Sequence, residues 1–116
     1  MEAISQQTRN QLVRRLQQSV NEADLWRDIN NLTDASEVQE YNATNKMIRY
    51  AVYYDYNLSR LALNIDYVLD TWGKPILEDW KYYDRGGKLL LHIKYYDFKY
   101  SATGQLTLRR RKKISG

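Results

Sequence analysis

The chain has 116 residues, 43% of them apolar and 28% charged, with one proline, five glycines and no cysteine. That length suits one compact domain, able to bury about two thirds of its unfolded surface without disulfides or a structural metal. Thiolate zinc sites, iron–sulfur clusters and redox thiols are excluded with the cysteines.

No run of about 18 apolar residues occurs, and Met1 to Val20 mixes Gln and Arg throughout, so neither a membrane span nor a signal peptide is expected. The expected setting is cytoplasmic, with no membrane partner. The formal charge of +4 conceals a polarity: residues 1–80 carry 8 basic and 12 acidic side chains, and residues 81–116 carry 10 basic and 2 acidic. Such asymmetry points the C-terminal third toward an anionic partner.

In chain order, Ile4, Thr8, Leu12, Leu16 and Val20 recur every four residues and predict an amphipathic helix. Leu25, Trp26, Ile29 and Leu32 continue a helical spacing, with Asn21 placed to cap a new helix or to lie in a bend of the same one. Asp34 and Glu37 match a capping box and predict a further helix from there, so residues 1–45 are expected to be mainly helical. Residues 46–72 carry both signals. The tyrosine-rich stretch Tyr50 to Tyr56 and the alternation of Leu61, Leu63, Ile65, Tyr67 and Leu69 favour strands.

Residues 76–108 read as an antiparallel meander. Ile76 to Tyr83 is strand-like, Asp84-Arg85-Gly86-Gly87 supplies a hairpin turn, and Leu89, Leu91 and Ile93 alternate with Lys88, His92 and Lys94. Tyr96, Phe98 and Tyr100 then take the opposite phase, with Asp97 and Lys99 between them, which predicts either a β-bulge or a strand that passes from one packing environment into another. Ser101 to Gly104 forms a second turn. It resembles the Asp84 turn only as a successive hairpin, and two instances do not make a repeat array. Leu106 and Leu108 give a last short strand before the basic end, residues 109–116. The expected fold class is α+β, a single domain with N-terminal amphipathic helices packed on an antiparallel β-meander of about three to five strands. Leu12, Leu16, Val20, Leu89, Leu91 and Ile93 are expected to share its core.

Eleven tyrosines and three tryptophans against one phenylalanine imply that many rings keep a hydroxyl in water. The adjacent pairs Tyr53-Tyr54, Tyr82-Tyr83 and Tyr95-Tyr96 must each place one ring on either sheet face. Arg109, Arg110, Arg111, Lys112 and Lys113 form the densest charge feature, and with only two acids after residue 80 they are not all expected to be paired within the chain. Phosphates are their natural counterpart. Lys88, Lys94 and Lys99 would extend the positive stripe, and exposed members of Tyr95, Tyr96, Phe98 and Tyr100 would stack on bases.

The expected function is that of a small non-enzymatic binding protein contacting nucleic acid or a nucleic-acid-bearing complex, with no cofactor or metal. The alternative is a protein–protein interaction module, such as an inhibitor, adaptor or accessory protein, with tyrosines as anchors. Pairing of open strand edges with another copy is left open by the meander. A third class rests on Asp79-Trp80-Lys81 with Asp66 or Asp70 upstream, which resembles the acid and acid-x-Lys arrangement of metal-dependent nucleases. Asp97-Phe98-Lys99 repeats that spacing, so the pattern has little specificity. His92, the single histidine, lies on the polar side of its strand and reads as a cross-strand neighbour of lysine or tyrosine rather than a catalyst. Gly86, Gly87 and Gly104 lie in hairpin turns and no Gly-rich segment precedes a helix, so Walker and dinucleotide phosphate cradles are not expected.

Overall fold

A computed structural model describes residues 21–116; the predicted helix through Leu12, Leu16 and Val20, with its share of the predicted core, lies outside them. Helix α1 (Glu22–Asn30) is followed by β1 (Ser36–Tyr41), β2 (Met47–Tyr53), β3 (Leu61–Leu69), β4 (Pro75–Tyr83), β5 (Leu89–Tyr100) and β6 (Leu106–Ser115). The strands form one antiparallel sheet in the order β1-β2-β3-β4-β5-β6. Among the described residues the chain is therefore mostly β, six strands with one short helix. The expected α+β arrangement of helices on a smaller meander is overturned.

The error lies in residues 34–45. Asp34 caps no helix there; its carboxylate accepts a hydrogen bond from the Tyr56 hydroxyl at 2.9 Å, and Glu37 accepts one from Tyr50 at 2.6 Å. Ser36 to Tyr41 pairs along its whole length with β2. Val38 and Val52, whose spacing also fits a helical period, lie on opposite sides of the sheet, since Val38 faces Ala51 and Glu37 faces Val52. Tertiary pairing overrides a spacing that fitted the helical period by coincidence. Upstream, Asn21 does cap α1, its side chain accepting from Ala23 N at 2.8 Å. Leu61–Leu69 is strand β3, and the basic end continues the sheet as β6.

The core lies between α1 and one sheet face. Val52, Leu63, Tyr82 and Leu91 are successive cross-strand partners from β2 to β5, all buried. Ile65, Ile93 and Tyr95 widen this layer, and Ile29 of α1 closes over it with Leu25 and Leu32. Leu91 and Ile93 thus occupy the predicted core, whereas Leu89 is exposed beside the turn. One ring of each adjacent tyrosine pair, Tyr54, Tyr82 and Tyr95, belongs to this layer, which strand alternation requires.

Four of the five hairpins share one build. Asn42, Asp70, Asp84 and Ser101 each donate their backbone N–H to the residue four ahead and accept, through their carbonyl, the N–H of the residue three ahead. Those third residues, Asn45, Gly73, Gly87 and Gly104, have φ of 62°, 83°, 88° and 84°. This is a type I turn closed by a residue in the left-handed region. The first side chain caps the loop: Asp84 Oδ1 accepts from Gly86 N and Lys88 N, both at 2.9 Å. Asp70 does the same for Trp72 and Lys74, and Asn42 for Thr44 and Lys46. The likeness of two turns noted in the sequence thus extends to a strand-and-turn module used four times. The β2–β3 connection is longer, with Leu58 at φ 59° and Asp55 accepting from Ser59 N and Arg60 N.

Candidate functional site

Strand alternation and three register shifts between β5 and β6, one of them at Asp97, distribute the basic, aromatic C-terminal residues. Between β5 and β6, Tyr96 faces Arg110 and Lys99 faces Leu108, so β5 holds one residue more than β6 in this interval. Asp97, at φ 52°, takes up the excess. Of the two expected alternatives, the bulge is present. It keeps Tyr95, Phe98 and Tyr100 on the helix side and puts Tyr96 and Lys99 on the open face.

On the helix side the rings are committed to packing. Tyr95 is buried, and Phe98 packs on the core with Tyr100 stacked against it at 6.4 Å between centroids. The Tyr100 hydroxyl donates to the Pro75 carbonyl. Trp80 lies 5.8 Å from Trp26 of α1 and 5.7 Å from Tyr95. Of the four rings expected to form a stacking platform, Tyr96 alone reaches the open face.

The five basic residues are also divided. Arg109 and Arg111 lie on the helix side, Arg111 opposite Tyr95. The Glu22 carboxylate accepts from Arg111 Nη2 at 2.7 Å and Nε at 3.0 Å, and from the hydroxyls of Tyr82 at 3.2 Å and Tyr95 at 3.0 Å. Burial, and then the neighbouring Glu22 charge, hold both tyrosines above the ordinary phenol range. Arg109 stacks over the Tyr95 ring at 4.0 Å and reaches Glu78 at 3.4 Å. Arg110, on the open face, pairs with Asp97 at 3.2 Å. Three of the five are therefore answered by acids, two of them from before residue 80. Among the described residues Lys112 and Lys113 take part in no ion pair.

The open face is crossed by one charged row. Following cross-strand partners from edge to edge, Glu40 faces Arg49, Arg49 faces Asp66, Asp66 faces Asp79, Asp79 faces Lys94, and Lys94 faces Lys112. Arg49 is the row's best-bonded member, donating to Asn64 at 2.6 Å, Glu40 at 3.1 Å and Tyr53 at 3.2 Å. Asp79 is hydrogen-bonded to His92 Nε2 and lies 3.9 Å from Lys81. His92 is thus the cross-strand neighbour expected of it. Asp66 and Asp79 do meet, with Lys81 beside them, but among the described residues no three His, Asp or Glu side chains gather as a metal ion would require. Lys88 sits apart, in the β4–β5 turn.

β6 is an edge strand, paired with β5 alone, and all ten of its residues are exposed. Its outward backbone N–H and C=O groups meet no other strand among the described residues, which makes it a template for strand addition. Sequence reasoning read this segment as a basic end of the chain; its length as a strand becomes visible only in its pairing with β5. It also missed Glu22, whose signal was faint: an acid in a first helical turn is ordinarily accounted for by the helix dipole. No helix among the described residues is long and apolar enough to cross a membrane. No family model, curated protein or solved structure matches the chain.

Proposed function

We propose that the chain is a protein-interaction module that takes up an acidic, extended strand along the edge of β6. The observation that carries this is the ten-residue edge itself, fully exposed, paired on one side and bearing five consecutive positive charges. Main-chain pairing would supply affinity, and the charges would select an acidic strand while discouraging neutral ones. In an added strand only alternate residues turn their N–H and C=O toward the neighbour. Ten-residue peptides alternating Glu with Val or Thr should therefore bind, and N-methylation of one alternate set should abolish binding while methylation of the other leaves it intact. Equal loss from both sets, or no binding up to about 1 mM peptide, would exclude edge pairing.

Nucleic-acid binding is favoured by a different observation. Lys94 and Lys112 are direct cross-strand partners, an arrangement that costs stability unless an anion lies between them, and Tyr96, Lys99 and Arg110 share their face. Three lysine contacts to a single strand would give a slope of log affinity against log salt of about −2. Replacing Lys94, Lys99 and Lys112 with Ser should flatten that slope. Absence of affinity for DNA and RNA at low salt would remove nucleic acid from consideration.

A further inference from the structure

We infer that the acidic strand fitting the β6 edge is β1 of a second copy of this chain, so that copies join head to tail into a continued sheet. The inference rests on edge pairing as proposed above and adds the identity of the occupant.

Three features select that occupant. The first is direction. A sequential meander of six strands leaves β1 and β6 antiparallel, so a copy set beside β6 in the same orientation offers β1 with the same polarity as every pairing inside the chain. The second is charge. β1 carries Glu37 and Glu40 and no basic residue, whereas β6 carries Arg109 to Lys113 and no acid. A two-fold contact of β6 with β6, or of β1 with β1, would set like charges together, which is destabilising across a strand pair. The contact of β1 with β6 sets opposite charges together, and a basic edge that repels its own kind still accepts this one.

The third feature is register. The row Glu40, Arg49, Asp66, Asp79, Lys94, Lys112 spans the sheet from edge to edge, and a copy continuing the rows brings its Glu40 opposite Lys112. Both side chains project from the open face. The next row, Gln39, Tyr50, Ile65, Trp80, Ile93, Lys113, brings Gln39 opposite Lys113. Lys112 faces Lys94 inside the chain and has no ion pair among the described residues, so Glu40 of the next copy supplies the counter-charge. The contact is heterologous and does not close on itself, so its products are open-ended rather than a fixed dimer.

Sedimentation of the intact chain over a range of concentrations should show a mass that rises without settling at one stoichiometry. Lys112→Glu and Glu40→Lys should each weaken association about tenfold or more, because each variant alone then faces like charge with like. Mixed in equal amounts they should recover it, since Lys112 of one meets the native Glu40 of the other and the reversed pair meets in turn. Circular dichroism identifies any variant that fails to fold. As the chain lacks cysteine, Glu40→Cys and Lys112→Cys provide a second measure that leaves the other charges in place. Oxidised together, they should cross-link to each other in preference to themselves. A monomer at about 1 mM, a mixture no better than its single variants, or preferential self-linkage of Lys112→Cys overturns the inference. If acidic peptides bind while the chain does not self-associate, edge pairing stands and the second copy is wrong; if neither occurs, both fail.

Discussion

Glu22 joins more of the molecule than any sequence signal announced. From the first turn of α1 its carboxylate receives hydroxyls from β4 and β5 and the Arg111 guanidinium from β6. Tyr82 is 1% exposed, so removing its acceptor strands a buried hydroxyl. Glu22→Ala should lower unfolding free energy by about 1 to 3 kcal/mol, read from urea denaturation, and Tyr82→Phe in the same background should recover part of the loss. The tyrosines also set an alkaline limit. Burial pushes Tyr50, aided by its bond to Glu37, and Tyr67 up to about 12, and raises Tyr82 and Tyr95 as well. A phenol whose folded pKa is raised favours the folded state fully below its unfolded pKa of about 10, and that contribution is lost as pH rises through the folded value. Absorbance at 295 nm should therefore show a fraction of the tyrosines silent near pH 10 and ionising near pH 12 together with loss of the sheet. Ionisation of all eleven in a single step centred near pH 10, with the sheet intact, would contradict the buried assignments.

At the scale of elements the strand-and-turn module organises the sheet, and it was half legible. The Asp84 and Ser101 turns announce themselves through Gly87 and Gly104. At Asn42 to Lys46 the left-handed position is held by Asn45, so no glycine marks the turn, and a helix could be drawn across it. At Asp70 to Lys74 the left-handed position is held by Gly73, and Pro75 opens β4 directly behind the turn. Substitutions should rank by backbone conformation. An added Cβ at Gly87 meets no atom within 4 Å, yet φ there is +88°, so Gly87→Ala should cost about 1 to 2 kcal/mol through the backbone alone. Ser101 Oγ receives one loop N–H, from Gln105 at 3.1 Å, where Asp84 receives two. Ser101→Asp should therefore raise the thermal midpoint, by the worth of about one hydrogen bond, 0.5 to 1.5 kcal/mol. A lower midpoint would show that the caps are not interchangeable.

At the scale of the whole molecule, α1 covers one face of the sheet among the described residues, and stability should fall from the centre to the edges. Ala62, Leu63 and Ile65 of β3 and Tyr82 of β4 are buried, while β1 and β6 are paired on one side. Hydrogen exchange should be slowest in β3 and β4 and fastest on the outward amides of β1 and β6. Leu91→Ala, in the fully buried row, should cost about 2 to 5 kcal/mol. Protection of the outward β6 amides that grows with protein concentration would mark the head-to-tail contact directly.

Local chemistry was readable where it depends on neighbours in the chain. Asn21 as a cap, the hairpin between β4 and β5, the bulge at Asp97 and the opposite faces of the tyrosine pairs all follow from residue type and a period of two. The tertiary structure decided what depends on partners far along the chain. It turned residues 36–41 into a strand by pairing them with β2, because cross-strand hydrogen bonds outweigh an ambiguous periodicity. It also assigned Glu22 to an arginine more than eighty residues away and Glu78 to one more than thirty away, a pairing that no count of nearby acids can anticipate. The charged row from Glu40 to Lys112 exists only in register, since its six members come from six different strands and stand far apart along the chain.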